Sequence, residues 1–70
     1  MHKVLSEISG SVWKVEVQPG QAVQAGQTLL VVESMKMEIP VLAEADGEVL
    51  EIRVRPGDVV QEGDLLVVLG

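Results

Sequence analysis

The stretch VQPGQAVQAGQTLLVV at residues 17–32 returns at residues 54–69 as VRPGDVVQEGDLLVVL. Sliding the sequence by 37 positions extends the match, so that residues 3–33 lie over residues 40–70 without a gap. Thirteen of the 31 aligned positions are identical, and the only internal segment outside both copies is a connector, residues 34–39. The sequence therefore predicts one domain, residues 1–70, built from two similar halves packed about a pseudo-two-fold axis.

The apolar pattern within each half is that of β-strands. Stretches rich in Val, Leu and Ile, which favour strands, cover residues 3–8, 12–17, 29–33, 38–42, 49–54 and 65–69. Apolar residues alternate with charged ones in two of these stretches, which predicts one face toward the core and one in water. This alternation predicts that the side chains of Trp13 and Leu50 point into the core.

Turn signals recur at the same place in both halves. Pro19-Gly20 and Pro56-Gly57 are turn dipeptides, because Pro presets φ and Gly accepts positive φ. A second glycine follows in each copy, at Gly26 and Gly63, before a Leu-rich strand. We expect an all-β fold: a flattened β-barrel, or barrel-sandwich hybrid, of two antiparallel sheets with pseudo-two-fold symmetry.

Composition limits the classes of function. A net charge of −6, with five Lys and Arg and one aromatic residue, weighs against nucleic-acid binding, which needs cations on the phosphates. One His and no Cys cannot assemble a zinc site. No apolar run approaches the roughly 20 residues that span a bilayer, and no signal-peptide core follows Met1. We expect a soluble, cytoplasmic protein that is monomeric by itself and does not act on membranes.

The residues Glu33-Ser34-Met35-Lys36-Met37-Glu38 join two predicted strands. They form a hairpin without Gly, Asn or Asp at its tip, although tight hairpins favour those residues because their central positions need positive φ. We interpret the Met and Lys residues as retained for their side chains at the expense of backbone strain. A single lysine displayed at the tip of a rigid body is suited to carry a covalently attached group.

The chain resembles the biotinyl/lipoyl attachment family, and is most similar to small single-domain biotin/lipoyl attachment proteins and to biotin carboxyl carrier domains. The resemblance extends from Gly10 through the Pro-Gly turns, Met35-Lys36-Met37 and Asp46-Gly47 to the last strand. It implies that Lys36 carries biotin through an amide bond, made by a separate biotin protein ligase from an adenylated intermediate. A biotin carboxylase and a carboxyltransferase would then be the partners of a carrier that is not itself an enzyme.

The residues around Lys36 have expected roles of their own. Met35 and Met37 offer soft apolar contacts to the ligase and to carboxylase sites. Glu33, Ser34 and Glu38 are expected to contribute to ligase recognition. The chain lacks the linker of large carboxylase subunits and the protruding loop of some carrier domains, so whether it is free-standing or a fragment stays open.

Two alternatives to a biotin carrier remain. The first is a lipoyl carrier that shuttles acyl or aminomethyl groups, because lipoyl domains share the fold and generally have Asp-Lys-Ala where this chain has Met35-Lys36-Met37. The second is an unmodified interaction module. A stand-alone enzyme is disfavoured because no catalytic constellation is present, and no catalytic or metal-ligating residue is assigned.

The remaining candidates are expected to be structural. Lys3 and Lys14 are expected to be solvated, and His2 is expected to be a mobile residue near the end of the chain. Trp13 is replaced by Leu50 in the second copy, which predicts a core position for it rather than a binding platform.

Overall fold

The computed structural model describes residues 1–70. It contains eight β-strands and no helix, so no helical segment could cross a membrane. The strands are β1 (His2–Leu5), β2 (Gly10–Val15), β3 (Ala22–Val23), β4 (Thr28–Ser34), β5 (Met37–Leu42), β6 (Gly47–Ile52), β7 (Val59–Val60) and β8 (Leu65–Leu69).

Two four-stranded antiparallel sheets pack against each other as a flattened sandwich. Their strand orders are β1-β8-β6-β3 and β5-β4-β2-β7, and a shift of 37 residues converts one order into the other. The registers repeat as well: His2 pairs with Leu69 in one sheet, and Ile39 pairs with Val32 in the other. The predicted all-β class and its pseudo-two-fold arrangement are confirmed.

The core between the sheets is entirely aliphatic. Its thirteen buried residues are Val4, Val12, Val17, Val23, Leu29, Leu30, Val32, Ala43, Val49, Val60, Leu66, Val67 and Leu69. Full burial of one Val or Leu side chain stabilises the folded state by about 1.5–3 kcal/mol. Since the chain has no disulfide, this cluster is the main source of its stability.

The prediction that Trp13 and Leu50 belong to the core is wrong. A β-bulge inserts Trp13 as an extra residue between the positions of β2 that pair with Val32 and Val31. The bulge reverses the side-chain alternation, so that Val12 is buried and Trp13 is 46% exposed. The equivalent bulge in β6 leaves Leu50 49% exposed.

Several predicted strand bounds differ from the structure. Strand β1 ends at Leu5 rather than residue 8, because the chain turns at Ser6, whose hydroxyl donates to the Ile8 carbonyl oxygen at 2.7 Å. Strand β2 begins two residues earlier than expected, at Gly10. The two-residue strands β3 and β7 were not predicted, since their two residues are too few to show an alternating pattern.

The predicted Pro-Gly turns are present in both halves. Gly20 and Gly57 have φ of 87° and 95°, the left-handed values for which Gly is suited. Each turn is closed by a side chain: the Gln18 N–H donates to Gln21 Oε1 at 3.1 Å, and Arg55 N–H donates to the Asp58 carboxylate at 2.9 Å.

Candidate functional site

Strands β4 and β5 form a hairpin with a two-residue loop. Ser34 pairs with Met37 as the last pair of the ladder, so Met35 and Lys36 alone make the turn. Their φ values are 53° and 66°, the two positive values that a type I′ hairpin requires. Left-handed backbone costs a residue other than Gly roughly 1–2 kcal/mol, so the strain predicted for this tip is confirmed.

The side chains of the tip project into solvent. Lys36 is exposed, and the flanking Met35 and Met37 are 91% and 63% exposed. The ion pairs of the structure lie elsewhere, at His2–Glu44, Lys14–Glu16 and Arg53–Glu51. The Lys36 amine therefore has no partner within the domain and is free to enter the site of another protein.

Two carboxylates lie at the base of the hairpin. Glu33 and Glu38 are paired residues on adjacent strands, one step below Ser34 and Met37, and both are exposed. Neither forms an ion pair. Ser34, the other residue predicted to be recognised by a ligase, is half-buried. The structure thus brings all the predicted site residues together around one tip.

The base of the hairpin is held against β2 at close range. Gly10 lies beside the end of β4, where a Cβ atom would overlap the Glu33 carbonyl oxygen and lie 3.0 Å from Val32 Cγ1. The adjacent residue Ser11 pairs with Glu33 and, on its other side, with Val59. The absence of a side chain at Gly10 therefore lets β2 support the strand that presents the tip.

A shallow open groove borders the hairpin, and the part of it that β2 and β7 contribute was not predicted from the sequence. Met35, Val60 and the 78% exposed Val59 supply its apolar part, while Ser9, Ser11 and Gln61 supply polar groups. The groove depends on pairing between β2 and β7, which are far apart in the chain. No local pattern in the sequence indicates that pairing.

The other candidate residues lie away from the tip. Lys14 Nζ is 3.5 Å from Glu16 Oε1 and 4.7 Å from the centroid of the Trp13 ring. His2 Nε2 is 3.9 Å from Glu44 Oε2. The structure contains no cluster of three His, Cys, Asp or Glu side chains that could hold a metal ion.

These features define a small two-sheet domain that presents one lysine on a hairpin tip. Residues 4–69 match the model of the biotin/lipoyl family, described as "Biotin-requiring enzyme". Because the match covers nearly all of the chain, the protein belongs to the biotin/lipoyl attachment family. Domains of this family hold biotin or lipoate covalently and act as non-catalytic carriers in larger enzymes.

Two curated relatives are similar over part of their length. The biotin/lipoyl attachment protein of Bacillus subtilis is 46% identical over 35 residues, which cover 50% of this chain and 48% of that protein. The biotinylated protein TB7.3 homolog of Mycolicibacterium smegmatis is 53% identical over 38 residues, 54% of each chain. The aligned part of this chain thus spans about half the length of these relatives.

Solved structures resemble almost the whole chain. Urea carboxylase of Kluyveromyces lactis superposes with a TM-score of 0.94 and 36% identity, over 99% of this chain and 6% of that chain. A single-chain, multi-domain long-chain acyl-CoA carboxylase superposes with a TM-score of 0.92 and 32% identity, over 97% of this chain and 7% of that chain. The lipoyl domain of the 2-oxoglutarate dehydrogenase complex of Azotobacter vinelandii superposes with a TM-score of 0.78 and 32% identity, over 96% of this chain and 95% of that domain.

Proposed function

We propose that residues 1–70 act as a covalent biotin carrier, biotinylated on Lys36 by a separate biotin protein ligase. The carrier serves carboxyl transfer between a biotin carboxylase and a carboxyltransferase. The observation that carries the proposal is the unpartnered Lys36 amine on an exposed tip between Met35 and Met37. The likeness to two carboxylases and to a biotinylated protein supports biotin as the cofactor.

The tip fits a cofactor held by an amide bond. Once deprotonated, Lys36 Nζ can attack an activated carboxyl group: the N–C bond forms, the bond to the leaving group breaks, and the proton passes to solvent. The bound cofactor supplies the carboxyl-carrying chemistry. The chain supplies reach, since a flexible side chain on a rigid hairpin keeps the attached ring at high effective concentration near its partners.

The surroundings of Lys36 supply recognition. Glu33 and Glu38 have no cation of their own, so their charges are available to basic residues of a ligase. Met35 and Met37 offer adaptable apolar surface that can pack in several different sites. A carrier needs such adaptable contacts because it meets a ligase and two active sites in turn.

A lipoyl carrier is the second candidate function. The likeness to the lipoyl domain of a 2-oxoglutarate dehydrogenase complex, which covers 95% of that domain, favours it. Against it, Met35 and Met37 stand where lipoyl domains generally have Asp and Ala. The two candidates differ in the ligase that would recognise the tip.

A paired loading assay tests the proposal. The purified chain is incubated with biotin, ATP and a biotin protein ligase, or with lipoate, ATP and a lipoate ligase, and its intact mass is measured. We expect one biotin per chain on the wild type and none on Lys36→Arg, which keeps the charge but forms no amide.

Lys14→Arg is the matched control, because it makes the same change at another exposed lysine and should still be loaded. Melting curves verify that both variants fold. Labelling that persists in Lys36→Arg would refute the site, and loading by the lipoate ligase alone would replace biotin with lipoate.

A further inference from the structure

The sulfur chemistry of this chain is concentrated around Lys36. The chain has three methionines and no cysteine, so every sulfur atom is a thioether. Met35 and Met37 flank the lysine at 91% and 63% exposure, and Met1, the first residue, is 91% exposed. An oxidant that reaches the domain finds no thiol and meets these side chains first.

The buried core contains no methionine, so oxidation would not disturb it. The tip already has its strained backbone, and its exposed side chains contribute little to packing. Conversion of a flexible apolar thioether into a polar sulfoxide would therefore change the tip surface and leave the fold intact. Such a change at Met35 would also add a polar oxygen to the groove that contains Val59.

We propose that Met35 and Met37 form a reversible, peroxide-sensitive modification site that controls the loading of Lys36. Hydrogen peroxide transfers one oxygen atom to the sulfur lone pair: an S–O bond forms, the O–O bond breaks, and the peroxide is reduced to water. The thioether loses two electrons. A methionine sulfoxide reductase, with electrons from a dithiol, removes the oxygen as water.

The proposed consequence rests on the proposed function, because a ligase that packs on the thioethers would meet two dipolar S–O groups instead. A polar group buried without a hydrogen-bond partner opposes binding. We expect loading of the doubly oxidised tip to be about tenfold slower, which corresponds to about 1.4 kcal/mol.

The first measurement is the order of oxidation. The chain is treated with hydrogen peroxide, catalase removes the excess, and peptide mass spectrometry counts oxygen atoms at each methionine. Because susceptibility follows exposure, we expect Met1 and Met35 to react at similar rates and Met37 more slowly. Unchanged melting curves are expected after treatment.

The second measurement is loading of Lys36 by biotin protein ligase before oxidation, after oxidation, and after treatment with the reductase. The control is a chain with Met35→Leu and Met37→Leu, which keeps Met1 as an oxidisable site. For each protein, the loading rate after oxidation is divided by the loading rate of the same protein before oxidation. We expect a roughly tenfold fall and recovery for the wild type, and a ratio near one for the control.

The outcomes separate the two proposals. If full oxidation at both positions leaves the wild-type loading rate unchanged, or if the Leu control loses loading equally, the modification site is overturned. If the untreated wild type is not loaded at all, the proposed function fails and this inference falls with it. Melting at a lower temperature after oxidation would instead assign the effect to unfolding and overturn the local mechanism.

Discussion

Glu33 and Glu38 lie directly opposite each other in the β4–β5 ladder, one residue pair below the loop that presents Lys36. Opposed like charges destabilise a strand pair. We expect Glu38→Gln to raise the free energy of unfolding by about 0.2–1 kcal/mol, and the gain to shrink at high salt because exposed charges are screened. Melting curves at low and high salt check this, with Glu62→Gln as the control carboxylate.

The left-handed backbone at Lys36 leads to a second prediction. Lys36→Gly should be more stable than Lys36→Ala by about 0.5–1 kcal/mol, because relief of the left-handed strain exceeds the extra chain entropy of Gly. Both variants lose the amine, so the difference isolates the backbone. Denaturant unfolding measures it, and equal stability of the two variants would contradict the strained tip.

The close approach of β2 to β4 at Gly10 leads to a third prediction. Gly10→Ala puts a Cβ against the Glu33 carbonyl oxygen, and we expect overpacking to cost about 1–3 kcal/mol. Ser9→Ala, a change at an exposed neighbour, should be nearly neutral. Denaturant unfolding of both variants tests the contact, and a fully stable Gly10→Ala protein would show that β2 is not held against β4.

The choice of cofactor is tested by changing both residues that flank Lys36. Met35→Asp with Met37→Ala produces the lipoyl-type tip, and each exposed substitution should alter stability by no more than about 0.5 kcal/mol. Biotin loading should fall markedly, while lipoyl loading should hold or rise. Equal biotinylation rates for the wild type and the double variant would show that the methionines do not direct the choice.

The exposure of Trp13 can be measured directly. Because its ring is half-exposed on the sheet surface, Trp13→Ala should cost only about 1 kcal/mol. Leu29→Ala, in the fully buried core, should cost about 2–5 kcal/mol. Unfolding curves compare the two, and the intensity of the wild-type Trp13 fluorescence should fall when an aqueous quencher is added. A Trp13 that is protected from the quencher would restore the core assignment.

Much of the fold was predictable because the chain contains its pattern twice. The equivalent turns at Gly20 and Gly57, and the long strands on either side of each turn, are local signals repeated in both halves. The position of Lys36 at the tip was predictable for the same reason, since the connector is the one segment that lies between the two copies.

What could not be predicted depends on contacts between distant strands. The bulge that turns Trp13 outward is defined by pairing with β4. The alternation of residues within β2 alone places the Trp13 side chain on the wrong face of the sheet. The groove beside the tip requires Ser11 to pair with Val59, a residue in the other half of the chain. No short-range pattern reports such a pair.

Two of the three ion pairs occupy matching places in the two halves but with their signs exchanged. Lys14 and Glu16 correspond, after the shift of 37, to Glu51 and Arg53. Because the domain has near two-fold symmetry, the two patches that contain these ion pairs are related in shape. The exchanged charges make the two patches electrostatically unequal, so the surface of the domain has a direction that its backbone symmetry alone would not give it.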